Sequence, residues 1–182
     1  LLIMVISFIG LGEVGSTYSS GLARNGATVK GYDIKFDTEG KENFVNYQKC
    51  LDAGVQLVDS PKELIEGSDI IIAVTSCSQA METAAMYKPF LKKEQRYCEW
   101  NSTVPDLVRK VEAFLGDNCT FVDCCTLCSP SMFGVATPCC SCGPAGEQTA
   151  NELNAYGMKI RYMGDSIGQA SAFKVIRSIF TK

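Results

Sequence analysis

No histidine occurs anywhere in the 182 residues. Its absence removes every mechanism that needs an imidazole as base, electrophile or metal ligand, and so excludes the His-dependent dehydrogenases and the Ser-His-Asp hydrolases together. Clustered positive charge is missing as well. The 17 Lys and Arg against 20 Asp and Glu leave a net charge of −3, and no basic stripe supplies the footprint that a nucleic-acid partner requires. No stretch approaches the roughly 20 consecutive apolar residues needed to cross a bilayer, so no membrane partner is expected. The leading LLIMVISFIGL is apolar, but it lacks a basic start and a small-residue cleavage site and runs straight into a glycine-rich turn. It reads as a buried first strand, not as a signal peptide. Position 1 is not Met, which fits a chain taken from a longer gene product.

What is present fits a globular protein able to bury a sizeable core, with 46% hydrophobic and 20% charged residues. Ten cysteines are many for this length. Without a secretory signal they read as free thiols in a reducing cytoplasm.

Apolar β-branched runs alternate with segments of helical periodicity, the pattern of βα units in a doubly wound, mainly parallel α/β sheet. Strands are predicted over Ile3 to Ile9, Thr28 to Tyr32, Gln56 to Val58, Asp69 to Val74, Arg96 to Trp100, Thr120 to Cys124, Thr137 to Ser141 and Lys159 to Tyr162. Ser60-Pro61-Lys62-Glu63 predicts a helix start, with Ser at the cap, Pro at the first helical position and Glu at the third; Gly67 is its stop. Residues 36 to 53 form a charged excursion, read as a loop and a helix. The single candidate boundary lies near Gly164 to Gly168, which divides the chain into a dinucleotide-binding unit, 1–165, and a final helix, 166–182.

Gly10-Leu11-Gly12-Glu13-Val14-Gly15 falls between a strand and a helix, the context that gives G-x-G-x-x-G its meaning. Gly10 would permit the tight turn, Gly12 the approach of a pyrophosphate to the backbone, and Gly15 close helix packing; the helix N-terminus offers N–H groups to phosphate. Asp33, eighteen positions beyond Gly15, stands near the spacing of a carboxylate that binds a ribose 2′-hydroxyl. It favours NAD over NADP by repelling a 2′-phosphate, and Lys35 softens that preference. The short-chain reductase pattern fails, because no Tyr is followed by Lys four residues later.

Together with Glu99-Trp100-Asn101-Ser102-Thr103-Val104-Pro105 and Gly168-Gln169-Ala170-Ser171-Ala172-Phe173-Lys174, these segments resemble the β-hydroxyacid dehydrogenases, relatives of 6-phosphogluconate dehydrogenase. The last stretch looks most like a branch whose helix reads G-x-A-S-A-x-K. The resemblance implies a Rossmann-type domain and an NAD(P)-dependent oxidoreductase that transfers hydride between nicotinamide and a small 3-hydroxy acid. It places Thr75, Ser76 and Ser102 beside the cofactor, with Ser102 replacing the family threonine. The family's substrate stretch, Asp-x-Pro-Val-Ser-Gly-Gly, becomes Asp123-Cys124-Cys125-Thr126-Leu127-Cys128-Ser129, which points to Asp123, Cys128 and Ser129 on the substrate side. Lys174 would be the family's catalytic lysine, with Ser178 standing where asparagine is usual. The resemblance also implies that the final helix leads into an all-helical domain, absent from this chain, through which the protein forms a homo-oligomer.

The residues alone read Lys174 differently. On a helical wheel it shares a stripe with Ala170, Ser171, Arg177, Ser178 and Thr181, while Phe173, Ile176, Ile179 and Phe180 form an apolar face. By periodicity the stripe is the solvated side. As base, Lys174 would need a pKa lowered by burial or by a neighbouring cation such as Arg177.

Six cysteines crowd into Cys124, Cys125, Cys128, Cys139, Cys140 and Cys142. Cys125-Thr-Leu-Cys128 has the spacing of zinc, iron-sulfur and dithiol sites, and the later three could complete a thiolate set. Adjacent pairs on strands point to opposite faces, however, which suits small core residues. A nucleotide-binding module without catalysis, redox-sensing or metal-binding through these cysteines, stands as the alternative function.

Overall fold

The computed structural model describes residues 3–180. Its elements in chain order are β1 Val5–Ile9, α1 Glu13–Arg24, β2 Thr28–Tyr32, α2 Tyr47–Asp52, β3 Gln56–Leu57, α3 Pro61–Ile65, β4 Ile70–Ala73, α4 Ala80–Tyr87, β5 Arg96–Glu99, α5 Pro105–Leu115, β6 Thr120–Thr126, α6 Pro130–Phe133, β7 Pro138–Cys142, α7 Gly146–Asn154, β8 Lys159–Tyr162 and α8 Gln169–Phe180. All eight predicted strands are present, shifted by a few residues at their ends. β6 runs on to Thr126 because β7 returns antiparallel beside it and pairs Cys139 with that residue.

One eight-stranded sheet has the order β3-β2-β1-β4-β5-β6-β7-β8, parallel throughout except for β6 with β7. The central strands are apolar on both faces, as a sheet covered by helices on each side requires. Every residue of β4, Ile-Ile-Ile-Ala, is buried. The chain leaves β1 toward one edge through β2 and β3 and returns to β1's other side at β4. Crevices for ligands open at such a reversal, outside the carboxyl ends of the strands.

Local signals account for several helix ends. Ser60 Oγ accepts the Glu63 N–H at 3.2 Å, Pro61 opens α3, and Gly67 beyond it has φ +72°. The charged excursion is held down by aromatic packing, Phe36 against Tyr32 at 5.6 Å and against Phe44 at 5.4 Å between ring centroids. Tyr18 of α1 and Trp100 after β5 meet edge to face at 5.9 Å, and both hydrogen-bond to Thr126 Oγ1. That buried contact ties the first helix to the far half of the sheet.

α8 departs most from expectation. Ala170 and Ser171 are buried against β6 and β7, whereas Phe173, Ile176, Ile179 and Phe180 are 38, 54, 67 and 82% exposed. The first members of the polar stripe, Ala170 and Ser171, pack inward and Lys174 is half-buried, while Arg177 and Ser178 farther along it are exposed and the apolar face lies open. Thr181, the last member of the predicted stripe, falls outside the described residues, as does Lys182.

Candidate functional site

The strand β1 ends in a turn that only glycine can make at two points. Gly10 has φ +90°, and a Cβ there would lie 2.3 Å from Val74 O; a Cβ on Gly15 would lie 2.1 Å from Gly10 O. Gly12 differs, because nothing lies within 4 Å of the place its Cβ would take. Its backbone faces open space at the start of α1, where no side chain caps the helix. Free N–H groups and the positive end of the helix dipole are thus presented to any anion that enters. Leu11 points the other way. Its side chain is buried and its N–H is donated to Asp33 Oδ2 at 2.8 Å. Asp33 Oδ1 accepts the Lys35 N–H at 3.1 Å, so the carboxylate is oriented from both sides by backbone donors.

These residues form one wall of a cleft of about 430 Å³ at the carboxyl ends of β1 and β4, with Gly10, Gly12, Glu13, Val14, Gly15, Asp33, Thr75 and Ser76 on its lining. The opposite wall is α4, through Glu82, Thr83, Met86 and Tyr87. No motif marked α4. The signal that could have found it is topological, since the helix following β4 must flank the reversal point of the sheet.

From that cleft a line of polar contacts leads to Lys174. The Thr75 N–H and Oγ1 both donate to Asn101 Oδ1. The next residue, Ser102, has φ +57°, a left-handed conformation rare for anything but glycine and concentrated at functional sites. In that conformation it meets the Lys174 ammonium, whose Nζ donates to Ser102 Oγ. Burial holds the lysine pKa below its ordinary value, with the neighbouring Cys125 and Cys139 acting in the opposite direction. The cause is desolvation. Arg177, the neighbour that the sequence offered for this role, directs a guanidinium N–H to Leu127 O.

Glu99 and Asn101 were not singled out by the sequence. Both are buried, and Glu99 Oε2 and Asn101 Nδ2 have no hydrogen-bond partner among the described residues. Burial pushes the Glu99 carboxyl up to about 7, with Asn101 hydrogen bonds opposing and the charge of Asp123 adding to the rise.

A glycine turn, an aimed carboxylate and a cleft at the sheet's reversal point coincide with a match to a known domain. The family described as the NAD binding domain of 6-phosphogluconate dehydrogenase matches residues 5–126. The chain belongs to that family. An uncharacterized 28.5 kDa protein in the 7S RNA 5′ region of Methanothermus fervidus is 28% identical over 181 residues, 98% of this chain and 66% of that protein. A conserved hypothetical protein from Sinorhizobium meliloti 1021 superposes with a TM-score of 0.89 at 26% identity, over 98% of this chain and 60% of the other. Mycobacterium tuberculosis 3-hydroxyisobutyrate dehydrogenase, solved with L-serine, superposes at 0.83 with 18% identity, over 98% and 60% of the two chains; at that identity the likeness is one of fold. The chain spans less than two thirds of the length of each of these relatives.

Not every residue singled out in this NAD-binding domain reaches the cleft. Asp123 is fully buried beneath α8, where Oδ2 accepts the N–H groups of Gly168 and Ser171 and Oδ1 accepts Ser171 Oγ at 2.6 Å. It anchors the last helix, in place of the substrate-side position its motif suggested. Ser178 is exposed and spends its hydroxyl on Val175 O of its own helix. Cys128 is half-buried. Ser129 caps α6 and donates to Glu13 Oε1 at 3.3 Å, which joins the loop after β6 to the start of α1. The neighbouring cysteines divide by face as strand alternation requires, Cys124 and Cys139 in the main core, and Cys125, Cys140 and Cys142 beneath α8. Among the described residues no group of three cysteine or acidic side chains is gathered for a metal, and no helix is long and apolar enough to cross a membrane.

Proposed function

We propose that this domain forms the nucleotide half of an oxidoreductase that moves hydride between a nicotinamide and a small hydroxy acid of the 3-hydroxy class, with Lys174 as general acid and base. The observation that carries the reading is the continuous run of contacts from the cleft wall at Thr75 through Asn101 and Ser102 to the Lys174 ammonium. It couples the end of the dinucleotide cleft to a lysine that burial holds below its ordinary pKa.

In this reading the Gly12 backbone and the first turn of α1 hold the pyrophosphate, Asp33 the ribose, and Thr75, Ser76 and Ser102 the nicotinamide end. The bound nicotinamide supplies the hydride acceptor or donor. Lys174 takes the proton from the substrate hydroxyl oxygen during oxidation and returns it during reduction, while Ser102 fixes the direction of its Nζ. In this reading Cys128 and Ser129, on the loop that Ser129 joins to Glu13, complete the substrate side. α8 is the start of the helix that leads to a second, all-helical domain, and the assembled protein is a homo-oligomer.

Titration with NAD and NADP, followed by assays of the full-length protein against a panel of 3-hydroxy acids, tests the reading. Lys174→Ala is expected to lower turnover by about 10²- to 10⁴-fold, the usual contribution of a positioned acid or base, with NAD binding unchanged. In the oxidative direction kcat/KM rises with pH, since only the neutral amine accepts a proton. Dinucleotide binding without turnover of any acid in the panel would replace this reading with a binding module.

A further inference from the structure

Beneath α8 lies a small buried cluster that hydride transfer does not use. β6 and β7 are antiparallel, and their register sets Cys125 directly opposite Cys140. The Leu127 N–H donates to Pro138 O at 2.9 Å two residues along the same ladder, so Cys125 and Cys140 form the next hydrogen-bonded pair. Cα atoms in such a pair are about 5.5 Å apart, within the range that a disulfide bridges. Opposed residues also share a face of the sheet, and both thiols, together with Cys142, pack against Ala170 of α8. Cys125 Sγ donates to Ala170 O at 3.3 Å, one helical turn before Lys174.

We propose that Cys125 and Cys140 are a peroxide-responsive pair whose reversible disulfide loosens the base of α8 and so disturbs Lys174. The two thiols are not equivalent. The adjacent Cys125 sulfur and the positive charges of Arg161 and Arg177 draw the Cys140 thiol below its ordinary range, whereas the adjacent Cys140 and burial push Cys125 up. Cys142 is pushed up to about 12 by burial and by Asp123. Cys140 is therefore the nucleophile of the face, since the thiolate is the reactive form. Asp123, Lys174, Arg161 and Arg177 are the charged groups around it.

In the first step the Cys140 thiolate attacks one oxygen of hydrogen peroxide. A sulfur–oxygen bond forms and the oxygen–oxygen bond breaks. The leaving hydroxide takes a proton and departs as water, leaving a sulfenic acid. In the second step the Cys125 thiol gives up its proton and its sulfur attacks Cys140 sulfur. The sulfur–sulfur bond forms, the sulfur–oxygen bond breaks, and a second water leaves. Two thiols have lost two electrons to one peroxide, and a dithiol reductant reverses the link by exchange. The disulfide has no S–H to donate, so Ala170 O loses its Cys125 contact. Formation of the link is independent of the hydride-transfer reading, whereas its effect on turnover rests on it.

The test treats full-length protein with hydrogen peroxide, blocks the remaining thiols by alkylation and cleaves after Phe133, which separates the two strands. The expected result is a Cys125–Cys140 cross-link, lost in Cys125→Ser and in Cys140→Ser and reversed by dithiothreitol. Hydrogen exchange at the first turns of α8 should quicken by about two- to tenfold, the equivalent of one hydrogen bond. NAD binding shows that each serine variant is folded. Oxidation of exposed Cys77 without the link, a link between other cysteines, or a link that leaves α8 exchange unchanged would each overturn the proposal. If the link forms and α8 loosens in a protein that oxidises no hydroxy acid, the hydride-transfer reading fails and the redox pair stands.

Discussion

Gly12 and Gly15 belong to one motif, yet their substitution should have opposite signatures. An alanine methyl at Gly15 would meet Gly10 O at 2.1 Å, and backbone cannot give way as a side chain can. Gly15→Ala is expected to cost about 1–3 kcal/mol, the range for overpacking, and to be visible as a lower urea midpoint. At Gly12 the methyl meets nothing, so Gly12→Ala should leave the midpoint within about 0.5 kcal/mol while weakening NAD at least about tenfold, as calorimetric titration would show. Asp33→Ala should narrow the preference for NAD over NADP in the same titration, because it removes the charge that opposes a 2′-phosphate.

Glu99 offers a separate test at the same scale, because its folded pKa of about 7 exceeds the ordinary 4.5 of a glutamate. Between those values the folded state holds more protons than the unfolded one, so its contribution to stability is fully present below pH 4.5, falls as pH rises, and is gone above about 7. The loss is of the order of 3 kcal/mol at about 1.4 kcal/mol per tenfold. Glu99→Gln should flatten that decline in denaturation curves measured across the window. An unchanged slope would mean that the carboxyl is already solvated in the native state.

At the scale of elements, the placement of α8 decides what Lys174 faces. Asp123 receives two backbone N–H groups and one hydroxyl from the start of the helix, acting as a cap supplied from β6. Such a carboxylate also suits the positive end of the helix dipole. Asp123→Ala is expected to cost at least about 2 kcal/mol, the upper end for a lost cap, and to raise amide exchange in α8 well above that of α5. The glycine turn, α3 and the β-branched strands were legible because each rests on local chemistry. The inward side of α8 was not, since the wheel records where apolar residues lie and says nothing of which surface is available to cover them.

Taken as a whole, the molecule divides along the same line. Sequence by itself determined the alternation of strands and helices, the glycine turn after β1, Asp33 just beyond β2 and the separation of adjacent cysteines onto opposite faces. These follow from backbone sterics and from the two-residue period of a strand, which act within a few residues. Only the tertiary structure decided that α4 closes the cleft, that Asp123 serves a helix, that Ser102 adopts a left-handed backbone to meet Lys174, and that Cys125 faces Cys140. Each of these joins residues far apart in the chain, and such contacts are fixed by strand order and register, which no local pattern encodes. Lys174 shows the difference most directly. Its stripe is the polar one, yet the start of that stripe lies inward because Asp123 of β6 holds Ser171 at the start of α8, and partial burial of Lys174 one turn on lowers the pKa of the amine.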